Sequence, residues 1–230
     1  MNIDKLLFFD IECATSTDNY QKDIPEQLKK KWKLIANNFR KRYPEELTDK
    51  TDEEIFYLKG MLYPEFGRVV CVSFGYEDSN GQFKKLSFYG DNEKEILESV
   101  NRTIIKSKNF VLAGFNIKKF DIPYLFKRML ICGIKPAQDL ICFDKKPWEL
   151  QYLDIVDIYN NGQSVDSVGN MGLEAIVGCF GFSSSKEQTS GDQVSDIFWK
   201  DKDYKRIVDY CEQDIEKTYL LTKKIYGILN

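Results

Sequence analysis

Residues 8–14, FFDIECA, form an apolar, strand-like run that carries two carboxylates, Asp10 and Glu12. Side chains alternate faces along a strand, so two acids two residues apart project from the same side, within reach of one shared ion or substrate. Two carboxylates about 4 Å apart repel by about 4 kcal/mol at an effective dielectric of about 20, so the pair calls for a cation.

Working outward, the chain has 230 residues, 43% of them hydrophobic, enough to bury the core of one domain. We expect a single domain over 1–230, with residues 18–62 as a helical insertion. A formal net charge of -3 supplies no overall basic field, so a nucleic-acid partner would have to be held by local basic patches, by metal, or by both. The opening run MNIDKLLFFDIE is too short and too soon broken by acids for a signal peptide, and no later stretch has the length of a membrane span. The expected location is cytoplasmic. Six cysteines (Cys13, Cys71, Cys132, Cys142, Cys179, Cys211) contain no C-x-x-C pair, a pattern of reduced, largely buried thiols and not of a zinc site. The most informative count is zero histidine, which removes every histidine triad, ligand and general base.

After a first strand at 5–12, the charge-rich segment 18–62 reads as two helices. Ile24, Leu28, Trp32, Ile35 and Phe39 recur at helical spacing behind Pro25, and Thr51 with Glu54 forms a capping box. RVVCVSFGY (68–76) and FKKLSFY (83–89), joined across Asn80-Gly81, form a β-hairpin. A helix at 92–107, the buried strand FVLAGF (110–115), a helix from Asp121 to about 132 with Pro123 in its first turn, and a strand LQYLDIV (150–156) follow. Residues 171–179 and 204–229 read as helices on either side of the polar loop SSSKEQTSGDQ (183–193).

Two further stretches hold acids. GFNIKKFDIPYL (114–125) places Asn116 and Asp121 where a buried strand enters a helix. DYCEQDIEKTYLL (209–221) places Tyr210 and Asp214 four apart, hence on one helix face. Each acid alone has an ordinary explanation: Asp10 as a strand end, Asp121 as a helix cap, Asp214 on a solvated helix face. Together they give D-x-E, N-x-x-x-F-D and Y-x-x-x-D in chain order, a conjunction that chance rarely produces.

These motifs resemble those of the DEDD exonuclease superfamily in its tyrosine-containing branch. The sequence is similar to the proofreading 3′-5′ exonuclease domain of family B DNA polymerases, and more so to the stand-alone predicted exonucleases related to it. MLYPEFGRVVCVSFGY (61–76) shares that resemblance, which covers residues 6 to about 220. It implies an α/β, ribonuclease H-like fold: a mixed five-stranded sheet flanked by helices, with the helical insertion after the first strand. It also implies two divalent ions, Mg2+ or Mn2+, held by Asp10, Glu12, Asp121 and Asp214. All-oxygen ligands suit such hard ions, which can clamp the attacking and leaving oxygens of a phosphodiester displacement. The implied partners are single-stranded 3′ ends, DNA first and RNA as the alternative, with any replication or repair protein unspecified.

By the same resemblance, Asn116 and the backbone near Ile11 and Glu12 handle the terminal nucleotide, and Phe120 stacks against terminal bases. Tyr210, with an ordinary pKa of about 10, is a poor base at neutral pH and a better positioner of water. Asp154 and Asp157 are further acids for which a strand-end role is at least as good a reading. Lys186 is either a phosphate contact or a solvated loop lysine. KKKWK (29–33) reads as a solvated helix face over a buried Trp32, ahead of a stacking platform. Two other classes stay open beside the exonuclease: a non-catalytic nucleic-acid-binding module, and a strand-transfer enzyme on the same acidic fold, which has no need of Tyr210 four residues before Asp214.

Overall fold

The run at 8–14 forms the middle of β1 (Leu6–Thr15), the third of five strands in one sheet. The protein is seen in a computed structural model that describes residues 3–143, 145–146, 149–150, 152–163, 171–182 and 190–229. After β1 come four helices, α1 (Tyr20–Asp23), α2 (Glu26–Arg42), α3 (Pro44–Leu47) and α4 (Asp52–Lys59). The hairpin β2 (Gly67–Glu77) and β3 (Phe83–Tyr89) leads to α5 (Glu93–Lys106), β4 (Val111–Gly114) and α6 (Asp121–Ile131). The chain then runs through β5 (Tyr152–Asp154), α7 (Ile155–Tyr159), α8 (Leu173–Cys179), α9 (Val194–Asp196) with a π turn at Ile197–Asp201, and α10 (Tyr204–Leu229). Sheet order is β3-β2-β1-β4-β5, with β1 antiparallel to β2 and parallel to β4.

β1 is buried on both faces, and its residues sort by parity. Leu7, Phe9, Ile11 and Cys13 pack with Leu97, Val100, Leu125 and Met129 of α5 and α6. On the other face Leu6 and Phe8 meet Ile215 and Tyr219 of α10, and Ala14 meets Ile207, Phe198 and Cys211. Asp10 and Glu12 interrupt this second apolar row, so the fold spends its most central sheet positions on two acids. The pairing shifts register between Glu12 and Cys13, where β2 carries Val70 as an extra residue, so the alternation along β1 itself is unbroken.

The insertion has its own core, in which Trp32 is fully buried against Phe56, Phe66 and Tyr63. The Thr51–Glu54 capping box forms, and the hairpin turns where Gly81 takes φ 77° and Asp78 Oδ1 accepts from the Asn80 and Gln82 N–H groups. The insertion contains four helices in place of the expected two. The expected strand at 150–156 is a correction of the same kind: it ends at Asp154, because that side chain accepts the Val156 N–H at 3.1 Å and caps α7. Among the described residues all six cysteines are free, and no helix is long and apolar enough to cross a membrane.

Candidate active site

Two elements, α6 and α10, converge on the acids of β1. Ligand atoms of Asp10, Glu12 and Cys211 lie within 4.8 Å of one another. The N-terminus of α6 supplies Asp121, whose Oδ1 accepts the Ile11 N–H at 3.2 Å, so it is tied to the residue between the two acids. Helical spacing on α10 brings Tyr210, Asp214 and Lys217 to one face.

Charge is the controlling quantity. Burial, and then Asp121 and Asp214, push Asp10 well above the usual carboxylate range; burial, and then Asp10 and Asp214, do the same to Glu12. Burial pushes Asp121 to about 7, against the pull of its hydrogen bonds from backbone N–H groups. No lysine or arginine among the described residues pairs with Asp10, Glu12 or Asp121. Asp214 differs: Lys217 Nζ lies 3.3 Å from its Oδ1 and also pairs with Glu174, which partly offsets the rise that burial causes. Burial and then Glu12, Asp214 and Asp10 raise the Tyr210 phenol, whose hydroxyl hydrogen-bonds Asp214, so Tyr210 stays protonated across the neutral range.

Cys211 was legible only as a core thiol. In the structure it donates to Asp10 O and Oδ2, both at 3.5 Å, and burial holds it protonated. The donor set left for a metal is therefore carboxylate oxygen, which fits hard divalent ions. Lys217 and Glu174 belong to no motif, and they meet only through the packing of α8 on α10; the one available signal was the i,i+3 spacing of Asp214 and Lys217.

The remaining expected residues divide. Asn116 adopts φ 61°, and its Oδ1 is buried without a hydrogen-bond partner. Asp154 holds that loop by accepting the N–H groups of Asn116 (2.8 Å) and Lys118 (3.0 Å), and Asp157 pairs with Lys118 Nζ at 2.8 Å. Both acids thus shape the approach to Asp121 from behind. Phe120 is half-buried, its ring 5.3 Å from that of Tyr124. The Ile11 N–H is taken by Asp121 and its side chain lies in the core, which leaves Ile11 holding Asp121 in place with no N–H to spare for a substrate. Lys186 lies outside the described residues.

A mixed five-stranded sheet of order 3-2-1-4-5 flanked by helices, with carboxylates gathered at the middle of its central strand, is a ribonuclease H-like fold. The family described as predicted 3′-5′ exonuclease related to the exonuclease domain of PolB matches residues 59–227, and the chain belongs to it. It is similar to a DNA polymerase of Archaeoglobus fulgidus, 25% identical over 194 residues, which are 81% of this chain and 24% of that protein. A DNA polymerase of Pyrococcus horikoshii is 24% identical over 192 residues, 76% of this chain and 15% of that one. The chain thus spans a quarter or less of the curated relatives it matches. The solved family B DNA polymerase of Pyrobaculum calidifontis shares the fold with a TM-score of 0.54 at 16% identity, covering 96% of this chain and 24% of that one.

Proposed function

We propose that the chain is a metal-dependent 3′-5′ exonuclease that hydrolyses phosphodiester bonds at the 3′ end of single-stranded DNA and releases nucleoside monophosphates. One observation carries the reading: Asp10, Glu12 and Asp121 are gathered beside Asp214 with no cationic side chain among the described residues paired to the first three. An arrangement this costly is sustained when cations occupy it. Asp10, Glu12, Asp121 and Asp214 are the residues that would hold two divalent ions, Mg2+ or Mn2+, and those ions would supply charge neutralisation for the attacking and leaving oxygens.

The protein's own groups do the rest. The oxygen of a water bonds to phosphorus and gives up a proton to solvent, the bond to the 3′ oxygen of the preceding nucleotide breaks, and that oxygen takes up a proton from solvent, leaving a strand one nucleotide shorter with a 3′ hydroxyl and a freed nucleoside monophosphate. Tyr210, kept protonated and fixed by Asp214, orients that water by hydrogen bonding and is not the base. Asn116 offers a buried amide oxygen in need of a donor, which a hydroxyl of the terminal sugar can supply. The half-buried Phe120, at the mouth of α6, stacks on the terminal base, a contact that tolerates any sequence.

The test uses matched DNA and RNA single strands labelled at the 5′ end. The expected result is a ladder shortening from the 3′ end on DNA. Shortening of RNA alone would replace the substrate with RNA, and intact strands of both kinds under saturating magnesium and manganese would sink the reading.

A further inference from the structure

Outside the site, α2 carries the largest excess of one charge among the described helices. Its 17 residues hold seven basic side chains against one acid, Glu26, a net +6 in a chain of net -3, so the remainder carries -9. Three of the seven serve the fold. Lys29 pairs with Glu26 at 2.8 Å, Arg40 grips Asp52 at 2.6 Å and the Lys50 carbonyl, and Arg42 lies 5.5 Å from the centre of the Tyr43 ring. The other four, Lys30, Lys31, Lys33 and Lys41, are exposed and form no hydrogen bond or ion pair among the described residues.

Nothing in the folding of α2 accounts for them as a group. Arg40, Lys41 and Arg42 sit at the helix C-terminus, where the dipole favours cations, but Lys30, Lys31 and Lys33 fall in the first half, where it does not. Lys30 and Lys33 are also like charges at i,i+3. At about 100° per residue, Lys30 and Lys41 lie opposite the buried Trp32 and Lys33 about 100° from it, so the three share one exposed arc that rises roughly 16 Å along α2. Trp32 is unavailable for stacking, so any ligand of this face is held by charge.

The insertion stands on the end of β1 that carries Glu12. Three residues past Glu12, Thr15 backs onto Gly60, and the Ser16 N–H bonds to Phe66 O at 2.8 Å. The chain outside α2 carries a net -9, so for a polyanion whose end lies among the carboxylates α2 is the described helix with the largest basic excess. We infer that the outward face of α2 is an exosite for the phosphate backbone of a single strand, upstream of its 3′-terminal nucleotides. The inference rests on the exonuclease reading and adds where the rest of the substrate lies.

The test compares the parent with the triple variant Lys30→Gln, Lys33→Gln, Lys41→Gln and with the triple Lys→Arg variant at the same positions, all checked for unchanged melting. Binding of a strand of about thirty nucleotides is measured from about 50 to about 200 mM salt, where each lost phosphate contact flattens the log-log slope by about 0.7. The glutamine variant should lose about 2 from the slope, the arginine variant should keep it, and turnover of a trinucleotide should be the same in all three. An unchanged slope in the glutamine variant, with the parent still shortening strands, overturns the exosite and leaves the exonuclease standing. Equal loss of trinucleotide turnover also overturns it, by placing the effect in the site. A parent that binds strands of any length without salt dependence overturns both readings.

Discussion

Asp121 joins the electrostatics of the site to its chemistry. A carboxyl raised to about 7 holds its proton more tightly folded than unfolded, where its pKa is about 4. Between those values the native state binds more protons, so the stability Asp121 contributes is present at low pH and is lost as pH rises from about 4 to about 7. Metal-free protein should therefore lose stability across that window, and Asp121→Asn should flatten the loss. With magnesium, which competes with those protons, the gain in Tm should grow with pH. Melting curves of parent and variant across the window check this, and a parent stability that rises with pH faster than the variant's contradicts it. Turnover separates the roles further. Asp121→Ala should nearly abolish hydrolysis while a strand still binds, and Tyr210→Phe should cost about tenfold to a thousandfold in kcat while the magnesium-induced rise in Tm is kept. If Tyr210→Phe lost that rise as well, Tyr210 would be organising the metal site and not the water. Asp10 and Glu12 were legible because acids inside an apolar strand break a strong pattern. Cys211 and Lys217 were not, since a thiol in a helix looks like core and an i,i+3 lysine looks like solvent.

The strands and helices read well wherever one period ruled. α10 runs from Tyr204 to Leu229 as its spacing predicts, and the β2–β3 hairpin follows its Asn-Gly turn. β5 was overextended because LQYLDIV continues its apolar pattern past Asp154, where a single cap turns strand into helix. Between elements the sequence is silent on its firmest clamp. Arg128 of α6 forks onto Glu93 of α5 at 2.8 and 2.6 Å, and also reaches the Pro64 carbonyl at 2.7 Å, while Glu93 accepts the Val69 N–H. Both residues are nearly buried, and 35 positions separate them, so no local pattern joins them. Glu93→Ala strands a buried guanidinium and should cost about 3 to 5 kcal/mol in chemical denaturation, with the β1 acids untouched. A loss of less than about 1 kcal/mol, the worth of an exposed pair, would show the clamp to be peripheral. Gly114 is a second constraint invisible in sequence: a Cβ there would lie 2.7 Å from Phe9 O, so glycine lets β4 close on β1 and aim the loop to Asp121.

Taken as a whole, the molecule separates its charges. Carboxylates gather where β1, α6 and α10 meet, lysines cluster on the exposed face of α2, and the net charge of -3 conceals both. That is why composition left the class of protein open while the spacing of D-x-E, N-x-x-x-F-D and Y-x-x-x-D pointed to the exonuclease family. The central claim is that the acids work by holding divalent ions at a 3′ end. The most direct measurement follows a 5′-labelled single strand with the protein in excess chelator, then after magnesium, manganese or calcium is added. No shortening is expected in chelator, a 3′-to-5′ ladder on adding magnesium or manganese, and none with calcium, whose longer and looser coordination does not bring the reacting oxygens together. Hydrolysis that persists in excess chelator would contradict the central claim.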